Sequence, residues 1–187
     1  MQFLTDKNGA LSPFRMSIAA GAFGLLMLAI SVIGFFLDQE SRRTPYFPPV
    51  PAGVEQWGYP VPEGNYRQQI YYRTQSMPVE EVAAFYNDQM LAHYGNNSTD
   101  PEAEQCQRFP ETGTFADEQV NSYGERVRSD YDPLTQPAYH YTCMFDRSGF
   151  NTSQWTQVTI YPGIPNADPA LDSQGYTVIW FQQEWSN

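Results

Sequence analysis

Residues 16–37 read MSIAAGAFGLLMLAISVIGFFL, an uninterrupted apolar run with no charged residue and no Pro. A run of about 22 residues spans a hydrocarbon core of roughly 30 Å as a helix. Hydrocarbon offers the backbone no hydrogen bonds, so a lone segment this apolar satisfies its own only in helical form. The stretch divides the chain into a short head at residues 1–15, a transmembrane helix at 16–37, and everything behind it. A cleaved signal peptide would have a shorter apolar core and end in small residues. Here Gly34-Phe35-Phe36-Leu37 runs straight into Asp38, with no Cys immediately after it for lipid attachment. The reading is an uncleaved single-pass anchor.

Lys7 and Arg15 precede the run, and Arg42 and Arg43 follow it, so the positive-inside count is level. Within the run Ser17, Ala20, Gly21, Gly24, Ser31 and Gly34 recur at helical spacings along one stripe. Small stripes let a second helix approach closely. The plain alternative is that such residues are common in membrane helices anyway.

The chain has 10 basic and 21 acidic residues; Lys7, Arg15 and Asp6 lie ahead of the run, leaving 8 and 20 behind it, a formal charge near −12. No Lys occurs after Leu37. Such a surface repels phosphate backbones, which excludes nucleic acid as a partner. The two cysteines, Cys106 and Cys143, fit no zinc spacing. Bridged, they would close a loop of about 38 residues and add about 3–4 kcal/mol in the chain-entropy model. A disulfide is the favoured reading, and it requires an oxidising compartment. That resolves the level count: cytoplasmic N-terminus, single pass through the cell (inner or plasma) membrane, C-terminal domain periplasmic or extracellular.

Residues 38–65 carry six prolines among Tyr46, Phe47, Trp57 and Tyr59. Proline fixes φ and removes a donor, so this segment reads as a stiff, extended arm. Its rings lie at the lipid headgroups, along a neighbouring protein, or back on their own domain. The expectation carried forward is a partner-binding arm at Tyr46, Phe47, Trp57 and Tyr59.

The folded domain is expected over 66–187. Tyr66 to Thr74 has the β-branched and aromatic content of a strand. Ser76 is placed to cap a helix with Pro78 in its first turn and Glu80 and Glu81 at the positive end of its dipole. Val79, Val82, Phe85 or Tyr86, Met90 and His93 follow the helical period, and Gly95 ends it. Short strands are expected near Arg108-Phe109 and within 123–128. Longer ones follow over 139–145, 155–161 and 176–185: Tyr139, Tyr141, Cys143 and Phe145 alternate with His140, Thr142 and Met144, Thr156, Val158 and Ile160 share one face, and Tyr176, Val178, Trp180 and Gln182 alternate with Thr177, Ile179, Phe181 and Gln183. One strand, one helix and a run of strands predict an α+β domain: an antiparallel sheet with one main helix packed on it.

The segment Ser76-Met77-Pro78-Val79-Glu80-Glu81-Val82-Ala83-Ala84-Phe85-Tyr86, followed by Met90 and Gly95, resembles the helix of small uncharacterised bacterial membrane-anchored extracytoplasmic domains. In those, a strand leads into a capped helix carrying EEVxxFYxxxLxxxG. They place Trp after that Gly, where this chain has Asn96. The resemblance covers about 30 residues. It implies an α+β fold and a bacterial envelope location, and brings no known active site.

No catalytic, cofactor or metal site is expected. His93 and His140 are too few for zinc. Asp130-Tyr131-Asp132 and Asp100-Pro101-Glu102 lack the Gly and terminal Glu of a calcium loop and read as solvated turns. No nucleophile elbow, HExxH, P-loop or dinucleotide fingerprint occurs. Asn96, Asn97 and Asn151 fit glycosylation sequons, relevant only in a eukaryotic secretory pathway. The expected role is a non-catalytic accessory subunit of a membrane complex, contacting other membrane-protein subunits and lipid through helix and arm. The alternative is a free-standing anchored module whose aromatic-rich sheet binds a ligand or peptide.

Overall fold

The computed structural model describes residues 13–95, 105–117, 119–120, 126–127, 130–149 and 152–186. They form two compact units, one ending at Ser41 and one beginning at Arg42. The first unit is helix α1, Pro13–Ser41, which continues a turn beyond the apolar run through Asp38, Gln39 and Glu40. It is long and apolar enough to cross a membrane, and none of its most apolar window is buried. Two of its hydroxyls turn back on the helix itself: Ser17 Oγ donates to the Pro13 carbonyl at 3.0 Å and Ser31 Oγ to that of Met27 at 2.9 Å. A Cβ added at Gly21, Gly24 or Gly34 would meet open space.

The second unit holds β1 (Glu55–Gln56), β2 (Val61–Pro62), β3 (Arg67–Thr74), α2 (Val79–Tyr94), β4 (Gln107–Phe109), β5 (Gln119–Val120), β6 (Arg126–Val127), β7 (His140–Asp146), β8 (Gln154–Pro162) and β9 (Thr177–Trp185). Seven strands make one antiparallel sheet in the order β1-β3-β9-β8-β7-β4, with β2 also on β3; β5 and β6 pair separately. The domain thus begins at the arm, well before residue 66: β1 and β2 both lie within 38–65 and pair with β3.

Alternation decides what each face meets. Ile70, Ile179, Phe181, Val158, Ile160, Cys143 and Phe145 share the face that α2 covers with Val79, Val82, Ala83, Tyr86 and Met90. The helix begins at Pro78 with no side-chain cap; the hydroxyl of Ser76 turns instead to that of Thr74 at 3.0 Å. Pro78 offers no N–H, and the next amides close on its carbonyl at 3.1 and 3.2 Å, so the Ser76 cap is superseded. Gly95 ends the helix in the left-handed region, as expected of a C-cap glycine. Just before it, Tyr94 seals the β7 edge beyond β4: its hydroxyl donates to the Met144 carbonyl at 2.7 Å and accepts from the Asp146 N–H at 2.9 Å. An edge closed in this way offers no template for a further strand.

Cys106 and Cys143 are bonded, tying the segment ahead of β4 to buried β7. At the opposite end of the pattern lies a feature the alternation did not reveal. Gln154, Thr156 and Gln183 are buried polar residues on the helix-covered face. They bind the backbone of the arm: Gln154 Nε2 donates to the Thr44 carbonyl at 2.6 Å, and Thr156 Oγ1 to that of Tyr46 at 2.6 Å, which also accepts from Gln183 Nε2. Buried amides need such partners, and an extended proline-rich strand supplies free carbonyls. The arm is therefore not a free spacer; it is bound to the domain from Thr44 onward.

Tyr86 lies at the centre of the core between Phe145 and Phe181, fully buried, and its hydroxyl has no partner among the described residues. Burial pushes its pKa upward, so ionisation opposes the fold and stability should fall as pH rises beyond the ordinary tyrosine value near 10. Tyr86→Phe should raise stability by about 1 kcal/mol at neutral pH, by removing an unsatisfied polar group. Urea denaturation checks this; a loss of stability would mean the hydroxyl is bonded.

Candidate functional site

The sheet's other face is also largely covered. Tyr71 on β3 and Trp180 on β9 are registered partners, and their rings stack with centroids 5.7 Å apart and planes 5° from parallel. Gln69 Oε1 accepts from both the Tyr71 hydroxyl at 3.0 Å and Trp180 Nε1 at 3.1 Å, which fixes the pair. Gln69 in turn donates to the Glu63 carboxylate. Beneath this layer Val178 is fully buried.

Two segments wall this face. The first is the arm around Trp57, whose N–H donates to the Tyr71 carbonyl at 2.8 Å and whose ring meets that of Tyr71 edge-on at 6.2 Å. Arg73, held by Glu55 at 2.9 Å, lies over Trp57 at 5.5 Å and over Tyr176 at 4.7 Å. The second wall is the loop 163–175, braced internally. Asp172 Oδ1 accepts from the Asn166 and Gln174 amides at 3.2 and 3.1 Å, and Asp168 Oδ1 accepts from that of Ala170 at 2.9 Å. Trp57 Nε1 joins the walls by donating to the Ala170 carbonyl at 3.2 Å.

Between them opens a cleft of about 470 Å³, lined chiefly by Trp57, Tyr59, Val61, Tyr71, Tyr161 and Leu171. Clefts of this size, mostly apolar with a few polar groups, are typical small-molecule sites. None of its lining residues is charged. Tyr71 has its pKa raised by burial and then by Glu63, and Tyr161 by burial and then by Tyr71, so both hydroxyls stay protonated. The loop wall depends on a close approach at Gly163, where a Cβ would lie 1.8 Å from the Ser173 carbonyl oxygen. Gly163→Ala should therefore shift the loop and cost about 1–3 kcal/mol, the range for overpacking. The Trp57 Nε1–H resonance, which reports the bond to Ala170, should move with it; an unmoved resonance would show that the wall does not depend on Gly163.

The residues singled out from the sequence are dispersed. The ring of Tyr46 packs beside Phe145 and His93, with Arg147 over it at 5.1 Å. Trp57 walls the cleft, Tyr59 stands at its mouth 91% exposed, and Phe47 is 51% exposed. The domain itself holds Tyr46 and Trp57, through the Tyr46 carbonyl that Thr156 and Gln183 bind and the Trp57 backbone N–H that bonds to Tyr71, whereas Phe47 and Tyr59 are exposed. Tyr71, Tyr161, Trp180 and the loop were not foreseen as a site. Their signal was present, since Tyr71 and Trp180 place large rings on the phase opposite the core, leaving both faces apolar. His93 contacts Tyr46, Phe145 and Tyr94, whereas His140 lies against Phe109 and Phe115, where burial lowers its pKa. Asp132 caps its own turn, accepting from the Leu134 amide at 3.0 Å. Among the described residues no cluster of ligating side chains fits a metal. Asp100-Pro101-Glu102, Asn96, Asn97 and Asn151 lie outside the described residues.

No family model, no characterised protein and no solved structure matches this chain. The resemblance carried by residues 76–95 therefore rests on those residues alone.

Proposed function

We propose that this chain is a membrane-anchored, non-catalytic binding module. In this reading α1 spans the cell membrane with the N-terminus cytoplasmic. The domain faces the oxidising, extracytoplasmic side, where its disulfide persists. The domain takes a small ligand in the aromatic cleft. The observation that carries the reading is the cleft itself: an uncharged, ring-lined cavity on a rigid sheet, built by two segments that meet through Trp57 and Ala170. The accessory-subunit role drew on the arm as an interaction element. With Tyr46 and Trp57 held by their own domain, that role rests on α1, whose small-residue stripe leaves room for a second helix.

Titration of the full-length protein in non-ionic detergent with benzyl alcohol, cyclohexanol and indole tests the cleft. Saturable NMR shifts should be confined to Trp57, Tyr71 and Tyr161 and their neighbours; absence of a localised response would overturn the reading. Purification from native membranes in mild detergent distinguishes the two roles. A solitary species supports the module. A stoichiometric set of membrane partners, released by Gly24→Leu, would put the subunit first.

A further inference from the structure

We propose that the ligand of the cleft is a small organic cation of the quaternary ammonium class; this rests on the binding-module reading and specifies it. Three observations converge. First, the lining presents several aromatic rings, from Trp57, Tyr59, Tyr71 and Tyr161, and no charged side chain. Ring faces carry negative electrostatic potential, and a weakly hydrated cation loses little on leaving water to meet them. Second, the surroundings are negative. Glu63 lies within electrostatic reach of Tyr71, and the loop wall carries Asp168 and Asp172 between lining residues. Arg73, which lies over Trp57, is paired with Glu55. Third, cation–ring contact already occurs beside the cleft, since the Arg73 guanidinium lies over Trp57 of its lining and over Tyr176 outside it, leaving Tyr59, Tyr71 and Tyr161 as the rings for a ligand.

The chemistry also decides against neighbouring ligand classes. A free carboxylate or phosphate would meet Glu63, Asp168 and Asp172 with no cation in the lining to receive it. A zwitterionic lipid headgroup brings a phosphate within a few bonds of its ammonium and meets the same repulsion. A primary ammonium keeps its hydration unless it finds hydrogen-bond acceptors, and the cleft offers mostly carbon. A methylated ammonium has no N–H to satisfy and fills an apolar space with methyl groups. A free cation such as choline fits both the rings and the field.

The test is a titration of the full-length protein in non-ionic detergent with choline, its uncharged tert-butyl analogue, and phosphocholine, followed by the Trp57 Nε1–H resonance. Choline should bind saturably and about tenfold more tightly than the tert-butyl analogue, the ratio expected of a desolvated cation–ring contact. Phosphocholine should bind more weakly than choline. Tyr59→Leu, at a position 91% exposed, should weaken choline binding several-fold while the denaturation midpoint stays in place. Equal binding of choline and the analogue would overturn the cation assignment and leave the cleft as an apolar site. Phosphocholine binding as tightly as choline would overturn the free cation in favour of a headgroup. If neither choline nor its analogue binds while benzyl alcohol still shifts Trp57, the cation assignment falls alone; if benzyl alcohol also fails, the binding-module reading falls with it.

Discussion

Replacing Tyr46 and Trp57 together by Ser should destabilise the domain by about 4 kcal/mol, whereas replacing Phe47 and Tyr59 together should change it by about 0.5 kcal/mol or less. All four rings belong to one proline-rich segment, so composition alone gives them equal standing. Their environments separate them. Tyr46 contacts Phe145 and His93 and lies beneath Arg147. Its carbonyl is the point at which Thr156 and Gln183 converge. Trp57 contacts Tyr71, lies under Arg73 and donates to Ala170. Complete loss of a buried aromatic side chain costs about 3–5 kcal/mol, and these two are half-buried, so about 2 kcal/mol each is expected. Tyr46 and Trp57 share no direct contact among the ring pairs described, so the two losses should add. Urea denaturation of the full-length protein, read by far-UV circular dichroism, gives both numbers. Equal, small effects from the two double variants would mean that the arm detaches in solution, returning it to the role of a partner-seeking element.

The contrast between these rings shows what a sequence of this kind discloses. The strands, the helix and their facing residues were legible because burial on one side imposes a period. Cys143 and Phe145, Val158 and Ile160, Ile179 and Phe181 recur at every second position, and Val79, Val82, Tyr86 and Met90 at helical spacing. The disulfide was legible from cysteine count and placement. The arm's docking was not, since it depends on Gln154, Thr156 and Gln183, polar residues whose burial becomes intelligible only with the arm's carbonyls beside them. The cleft escaped for a related reason. Its lining joins two rings on different strands, Tyr71 on β3 and Tyr161 on β8, which the sheet order places on either side of β9. Its walls come from segments more than a hundred residues apart, joined by one indole N–H. No local periodicity encodes such a meeting. What the sequence did carry was an excess of rings on the strand phase turned away from the core, and a covered second face is the physical answer to that excess.

Removing the disulfide should have an effect of similar size by a different route. Replacing Cys106 and Cys143 together by Ala should destabilise the domain by about 3–4 kcal/mol, and reducing the native protein should do the same. The bond spans a sequence separation of 37, so its loss returns considerable freedom to the unfolded chain. The folded state loses little order directly, because Cys143 is packed within the core and Cys106 is also held by Asn87, whose Oδ1 accepts its amide at 2.7 Å. Those contacts should keep the fold intact in the variant, with the change appearing in the denaturation midpoint. The reduced native protein and the double variant should therefore unfold at closely similar urea concentrations, and reductant should leave the variant unmoved. A native midpoint insensitive to reductant, with both thiols shown to be free, would remove the bridge from the account of stability. It would also remove the reason for placing this domain in an oxidising compartment, because the basic residues flanking the apolar run 16–37, two on each side, favour neither orientation.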